Sequence, residues 1–429
     1  MIRNIYYYIV VVILLGQSCQ SNKDFDGLRP DERLNTEIAA YYDQLVSAEN
    51  GWIAYLFPEA GGGYTFKFYF DSENRIRMYA DYNGTTASVA KESSYRLRAT
   101  QVLSLYFDTY SYIHMLADPD PQISGGDAGK GRYSDFEFSI VSSSRDSIRL
   151  IGNLNKSELL LVRAKSGQGE NFIQQVFKFN QEKLANFDRF TYYYNKLNVG
   201  GNTFQFTLNR DLKTVSFRGT GAIDSLAFFT EYATTANGIR FRKPLKVGNQ
   251  QFETMQDINI NVPAGTGEFT LGNASAKLTN QADLLAREPQ DATAMYMVKY
   301  QYFSETGFFI AGQEDAHRLQ DIPGYAGIRF IPLRYVDGTD VFYLFYNNGQ
   351  YYIGPGFNTQ IDAQGVMRFT NFIGFDTNSA STITQEIADR ITAFTRLALD
   401  PAGFYVYRNG RTGYDLVSVK DSKVWLRFY

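Results

Sequence analysis

The stretch YTFKFYF, residues 64 to 70, carries an aromatic ring at every second position. In an extended chain Tyr64, Phe66, Phe68 and Phe70 share one face, while Thr65, Lys67 and Tyr69 share the other. A helix would scatter these rings around its circumference, so the spacing dictates a strand. The turn DSEN follows, and then RIRMYA, in which Ile76, Met78 and Ala80 alternate with Arg75 and Arg77. Two such runs around a turn predict an antiparallel hairpin with one apolar and one wet side. DFEFSIV and SIRLIG repeat the arrangement around SSSRD, with Phe136, Phe138 and Ile140 expected inward and Asp135, Glu137 and Ser139 outward. ELLLVRA closes this part. Strand signals resume in TFQFTLN, TVSFRG, GIRFRKPLKV, GIRFIPLRY, VFYLFY and YYIGP. The expected fold is mainly β, built of antiparallel sheets as a sandwich or a partly open barrel.

Two segments break the period of two. Residues 31–49 place Leu34, Ile38, Tyr41, Tyr42 and Leu45 at helical spacing, and Gly51 ends the run. A second amphipathic helix is expected over 382–399, with Ile383, Ile387, Ile391, Phe394 and Leu397 as its stripe. Each helix leads to a glycine and an aromatic (Trp52, Phe404), a strand, a Gly-rich turn, and a Gly-Tyr pair opening the next strand (Gly63-Tyr64, Gly413-Tyr414). One helix packed on a two-stranded unit would account for both copies; so would coincidence among many aromatic hairpins. The stretch KSGQGE, residues 165–170, reads as a boundary between an N-terminal domain over 33–165 and a C-terminal β-rich domain over 171–429.

The chain has 429 residues and one cysteine, so no intrachain disulfide is available and stability rests on apolar burial. The 34 Phe and 32 Tyr supply that burial and favour strands. The cysteine, Cys19, follows a start of the form Arg3, an apolar run IYYYIVVVILL over 5–15, then Gly16, Gln17 and Ser18. That is the form of a secretory signal over 1–18, and it is shorter than the ~20 apolar residues of a membrane span. A lipoprotein cut site requires a cysteine, whose thiol takes the diacylglyceryl thioether, so Cys19 is the expected lipid attachment. Two or three acyl chains there would anchor the protein stably. Residues 19–32 form a polar tether. Its Lys23, Asp24 and Asp26 are similar to the charged signal that sends lipoproteins of Bacteroidota to the outer face of the outer membrane, and the run 13–19 resembles the looser lipoboxes of those organisms.

The net charge of −3, with both signs interspersed, gives no basic stripe for a nucleic acid. With only two histidines, His114 and His317, a histidine-built metal site is not expected, and no cofactor is. The segment 107–121, FDTYSYIHMLADPDP, gathers Asp108, Tyr110, His114 and Asp118. A carboxylate orienting an imidazole is one use of that set; a buried histidine bonded to Asp108 beside an Asp-Pro turn is the structural one. DPDPQISGGD alternates oxygens as calcium loops do but lacks the closing bidentate Glu. GGDAGKG, residues 125–131, lacks the Ser/Thr of a phosphate loop and reads as a flexible loop. No local pattern singles out a catalytic residue. The tyrosines of FTYYYNKL and YLFYNNGQYYIG suit a binding surface where exposed and a core where alternate positions turn inward. Asp146-Ser147-Ile148 and Asp224-Ser225-Leu226 are similar to O-glycosylation tripeptides of Bacteroidota.

In order along the chain, Gly51-Trp52, Gly63-Tyr64, Phe66-Lys67-Phe68, Phe107-Asp108-Thr109-Tyr110, His114, Asp118-Pro119, Asp135-Phe136-Glu137-Phe138 and Gly238-Ile239-Arg240-Phe241 with Pro244 resemble a family of Bacteroidota lipoproteins, domain-of-unknown-function 4302. The resemblance implies an accessory lipoprotein beside an outer-membrane uptake system, with a TonB-dependent transporter and its companion lipoprotein as partners. It implies no catalytic residue. Three roles are thus distinguished: a non-catalytic surface component binding a glycan, a peptide or a partner protein; a surface hydrolase of glycans or peptides; and a structural or adhesive protein. A row of exposed tyrosines speaks for the first, and a deep cleft with two carboxylates ~5–9 Å apart for the second. His114 sealed in packing would take it out of acid–base chemistry.

Overall fold

The computed structural model describes residues 30–99, 102–298 and 301–429; Cys19 and the charged residues of the tether lie outside them. The described chain is mainly antiparallel β, as expected, and its strands form three sheets in succession. Eight strands, from Trp52–Phe57 to Glu158–Arg163, pair each with its chain neighbour. The first then pairs with the last, from Trp52↔Arg163 to Phe57↔Glu158, and closes a barrel. Eight more, from Tyr194–Val199 to Ala274–Gln281, close a second barrel through the pairs Val199↔Ala276 to Tyr194↔Gln281. Nine strands from Tyr302–Ser304 to Val424–Phe428 form the third sheet. One end strand, Tyr302–Ser304, also reaches past the strand Val424–Phe428, because Phe303 and Tyr429 exchange both backbone hydrogen bonds, at 3.2 and 2.8 Å.

Closure leaves few strand edges for unwanted pairing. An eight-stranded barrel has an interior that side chains fill, and here the rings of the period-two pattern fill it. Trp52, Phe66, Phe68, Phe107 and Phe138 make the first core. Phe204, Phe206, Phe217, Phe241 and Phe269 make the second. Phe330, Phe342, Phe357, Phe369, Phe404 and Phe428 make the third. Each residue of KSGQGE lies between the last strand of the first barrel and a helix at Phe172–Glu182; residues 171–429 carry both remaining sheets, each with its own core.

The two long predicted helices are present, as Pro30–Val46 and Gln385–Ala398. Leu45 of the first enters the first core, and the Trp52 indole donates to the Leu45 carbonyl at 2.9 Å. Ile387, Ile391 and Phe394 of the second enter the third core; Ile383 lies just outside the helix. Both helices are followed by a glycine in the left-handed region, Gly51 at φ +69 and Gly403 at φ +78. A Cβ would come within 2.4 Å of the Phe68 carbonyl oxygen at Gly51 and 2.6 Å of the Met367 oxygen at Gly403. The local unit therefore recurs with its geometry. Its place does not: the hairpin after Gly51 opens the first barrel, whereas the one after Gly403 lies late in the third sheet.

Two expectations about the wet faces are corrected. Thr65 and Lys67 are buried, because helix Phe172–Glu182 and the second barrel cover that side of the first. Thr65 donates its hydroxyl to the Thr234 carbonyl at 2.6 Å, and the Lys67 ammonium donates to the Gln168 carbonyl at 2.5 Å. The inward and outward assignment at 135–136 is inverted. Asp135 is buried and accepts from the backbone N–H groups of Leu154, Asn155 and Ser157 and from the Ser157 hydroxyl, holding the turn before the closing strand. Phe136 is instead half exposed. The strand itself begins only at Glu137, so the alternation could not extend back to these two residues.

Charged side chains join the three sheets. Arg411, in the turn of the late hairpin of the third, contacts Glu59 at 2.6 Å and Glu231 at 3.1 Å. Arg242 of the second barrel lies 3.5 Å from the same Glu231 and 2.9 Å from Glu158 of the first. Between the second and third sheets, buried Arg427 contacts Asp415 at 3.1 Å, Asp211 at 3.4 Å and Asp188 at 3.6 Å. Phe309 stacks on Trp425 beside it, with centroids 3.8 Å apart.

Candidate functional site

The segment 107–121 folds as a cap on the first barrel, with short helices at Tyr112–Met115 and Pro121–Ser124. His114 is sealed there. Its ring lies between Tyr110 and Phe136, with centroids 5.7 and 4.7 Å away and near-parallel planes. Nδ1 accepts from the Ser111 N–H at 3.1 Å, so Nε2 carries the proton and donates to the Phe107 carbonyl at 3.1 Å. Burial pushes its pKa down from the ordinary value. Neither nitrogen is left for a substrate. The hydrogen bond expected from Asp108 is absent, because Asp108 pairs with Arg96 at 3.1 Å instead. Tyr110 and Asp118 do meet: the phenol donates to the Asp118 carboxylate, and the Lys91 ammonium lies 4.8 Å from the Tyr110 ring centre. Burial and that carboxylate push the Tyr110 phenol up to about 12, and the phenol's hydrogen bond holds Asp118 below the usual carboxylate range.

The rest of the segment is turn chemistry. Asp118 accepts from the Asp120 N–H and Asp120 from the Gln122 N–H, each at 2.9 Å. Residues 125–131, expected as an open flexible loop, are cross-tied. Asp127 and Gly131 exchange both backbone bonds at 2.9 Å, because glycine at 126 and 131 permits the close approach. The half-buried His317 packs edge-on to Phe308. Among the described residues no group of three or more His, Cys, Asp or Glu is placed to hold a metal ion, and no helix is long and apolar enough to cross a membrane.

The tyrosine stretches divide. Tyr193 and Tyr194 of FTYYYNKL are buried at the junction of the second and third sheets. The other stretch builds an outer surface on the third. Along Asp340–Tyr346, Phe342, Leu344 and Tyr346 enter the core, so Tyr343 and Phe345 lie on the opposite face, where Tyr343 is itself buried and Phe345 is half-buried. Tyr343 packs on Tyr352 at 4.3 Å, and Phe345 lies 5.8 Å from the same ring. The phenols of Tyr335 and Tyr343 both donate to the Asp376 carboxylate, which raises the pKa of each; at Tyr335 this bond is the first cause, at Tyr343 burial is. Arg334 lies over the Tyr335 ring at 5.8 Å and Arg329 over Phe345 at 4.6 Å.

The strand that carries Asp376 also has an open edge, and there Phe372 and Phe375 pack on each other on the face opposite to Asp376. The strand Val366–Thr377 pairs along most of its length with Tyr351–Ile361, but with Phe404–Arg408 only at Val366 and Met367. Residues 370–377 are therefore paired on one side only among the described residues. Phe372, Ile373 and Phe375 on this edge are 50, 55 and 44% exposed, and Tyr335 is 42% exposed. Sequence reasoning named the tyrosines but missed Asp376 and Tyr335, which reach them from separate strands and loops. The clue was FIGF, an apolar run too dense for a strand with a wet face.

The family described as domain of unknown function (DUF4302) matches residues 24–259, just over half of the chain. No curated protein matches. Among solved structures, a protein of unknown function from the DUF3598 family of Nostoc punctiforme shares 9% identity at a TM-score of 0.15, over 74% of this chain and 93% of that one. The isotype 1 transferrin binding protein B (TbpB) of serogroup B Neisseria meningitidis also shares 9% identity at 0.15, over 88% of this chain and 73% of that one. The matched region spans the whole first barrel and most of the second, and on it this chain belongs to the DUF4302 family.

Proposed function

We propose that the chain is a lipid-anchored, non-catalytic binding component of the outer membrane, held at Cys19 after removal of residues 1–18 and carried on the tether 19–32. The observation that supports a binding role is the aromatic surface of the third sheet. It combines exposed Phe372, Ile373, Phe375 and Tyr335 with a strand edge open at 370–377. Tyrosine, phenylalanine and arginine around a desolvated centre make the composition of an interface hot spot. An open edge adds main-chain hydrogen bonds for a partner strand. The partner proposed is a protein of an uptake system, a TonB-dependent transporter or its companion lipoprotein. A shallow, partly polar surface fits a protein partner better than a small solute, which takes a concave site.

The test is co-purification from membranes with the full chain. The wild type should recover the transporter, and Phe372→Asp/Phe375→Asp should lose it while remaining folded. Cys19→Ser should release the protein from the envelope. Equal recovery by the aspartate variant would remove the surface from the proposal, and a Cys19→Ser protein that stays in the envelope would remove the anchor.

A further inference from the structure

A concavity lies between the outer walls of the first and second barrels. It is a cleft of about 460 Å³, within the range of small-molecule sites. The first barrel lines it with the outward residues of three adjacent strands: Val141, then Arg149 and Ile151, then Glu158 and Leu160. Val141 sits where the register with the next strand slips between Ile140 and Ser142, and it is 62% exposed. Outward positions on a barrel normally carry polar side chains, yet Val141, Ile151 and Leu160 make an apolar floor. Arg149 stands directly across from Leu160 in the strand pairing, at the edge of that floor. The second barrel adds Arg240, Arg242, Pro244 and Lys246.

The charges on the walls do not balance. Four cations (Arg149, Arg240, Arg242, Lys246) face two carboxylates, Glu158 and Glu253. Both carboxylates are engaged: Glu158 with Arg242 at 2.9 Å and Glu253 with Arg240 at 2.7 Å. Arg149 and Lys246 are exposed and make no ion pair among the described residues. The cleft thus has an excess of two positive charges, in a chain whose net charge is −3. Two unpaired cations above an apolar floor complement a molecule with an anionic head and an apolar body. We infer that this cleft binds a single-chain organic carboxylate, its head between Arg149 and Lys246 and its chain along Val141, Ile151 and Leu160.

Calorimetric titration of the full chain at pH 7.5 tests this with decanoate, decanol and acetate, below the micellar range. Decanoate should saturate at one per chain. Decanol, which lacks the charge, should bind at least ten-fold more weakly, and acetate, which lacks the body, should give no saturable heat. Arg149→Glu/Lys246→Glu alters exposed side chains only and should weaken decanoate at least ten-fold. Val141→Trp should fill the cleft and abolish binding with an unchanged circular dichroism spectrum. Phe372→Asp/Phe375→Asp should bind decanoate as the wild type does, which separates this site from the third-sheet surface. Absence of decanoate binding to the wild type, equal binding of decanol, or unweakened binding in either cleft variant would overturn the inference.

Discussion

Lys67 shows how a residue's neighbours reverse its apparent role. Read along the strand it belongs to a wet face; in the fold it is buried, and burial pushes its ammonium down to about 8. The unfolded chain holds that proton to the ordinary value of 10.5, so the folded state carries the full penalty below pH 8. Stability should therefore rise as pH goes from 8 toward 10.5. Lys67→Met is expected to raise the unfolding free energy read from denaturant titration at pH 7 by about 1 kcal/mol after screening, with the gain shrinking toward pH 10. His114 is also depressed by burial, with Lys91 adding to the effect and the Phe107 carbonyl and Asp108 opposing it. Its unfolded form takes a proton at the ordinary 6.5, above the folded value, so the stability it contributes is present above 6.5 and lost as pH falls below it. Urea midpoints at pH 7.5 and 5 should show this loss. His114→Leu should be less stable at pH 7.5 by roughly 1–3 kcal/mol, since Phe107 and Ser111 lose a partner, but should lose less on acidification.

At the scale of elements, period two and period 3.6 were both legible. The rings at alternate positions became barrel interiors, and the two long stripes became helices that feed the first and third cores. Helix Phe172–Glu182 was not anticipated, because FIQQVFKFN reads equally as an alternating strand over its second half. The helix–glycine–hairpin unit turns on backbone conformation. At Gly51 and Gly403 any Cβ would meet both a positive φ and a carbonyl oxygen. Gly51→Ala and Gly403→Ala are each expected to cost more than ~1 kcal/mol. Since they lie in separate cores, their effects on thermal unfolding should add.

For the whole molecule, the contacts that matter join positions hundreds of residues apart. Arg411 reaches Glu59 and Glu231, and so ties the third sheet to both barrels. Glu231 is nearly buried, and a glutamate at 411 would set a second carboxylate against it and leave it only the longer contact to Arg242, at 3.5 Å. Arg411→Glu should lower the unfolding free energy by roughly 2–4 kcal/mol and split a single calorimetric transition into separate ones. Adding Glu59→Arg should restore part of the loss, and failure to do so would show that the contact between positions 59 and 411 does not hold the junction. The candidate surface and the cleft also belong to this scale. Asp376 gathers Tyr335 and Tyr343 only because three strands lie side by side, and the cleft's walls come from two different barrels.

What the sequence by itself determined is the antiparallel β character, the rings that fill the cores and the two long helices, because each follows from side-chain periodicity within a few residues. What only the tertiary structure decided is closure into barrels, the burial of Lys67 and Asp135, the sealing of His114, and the meeting of residues at the outer surface and the cleft. Those depend on which sheet face lies against another, and alternation along a strand separates its two faces without saying what will cover either one.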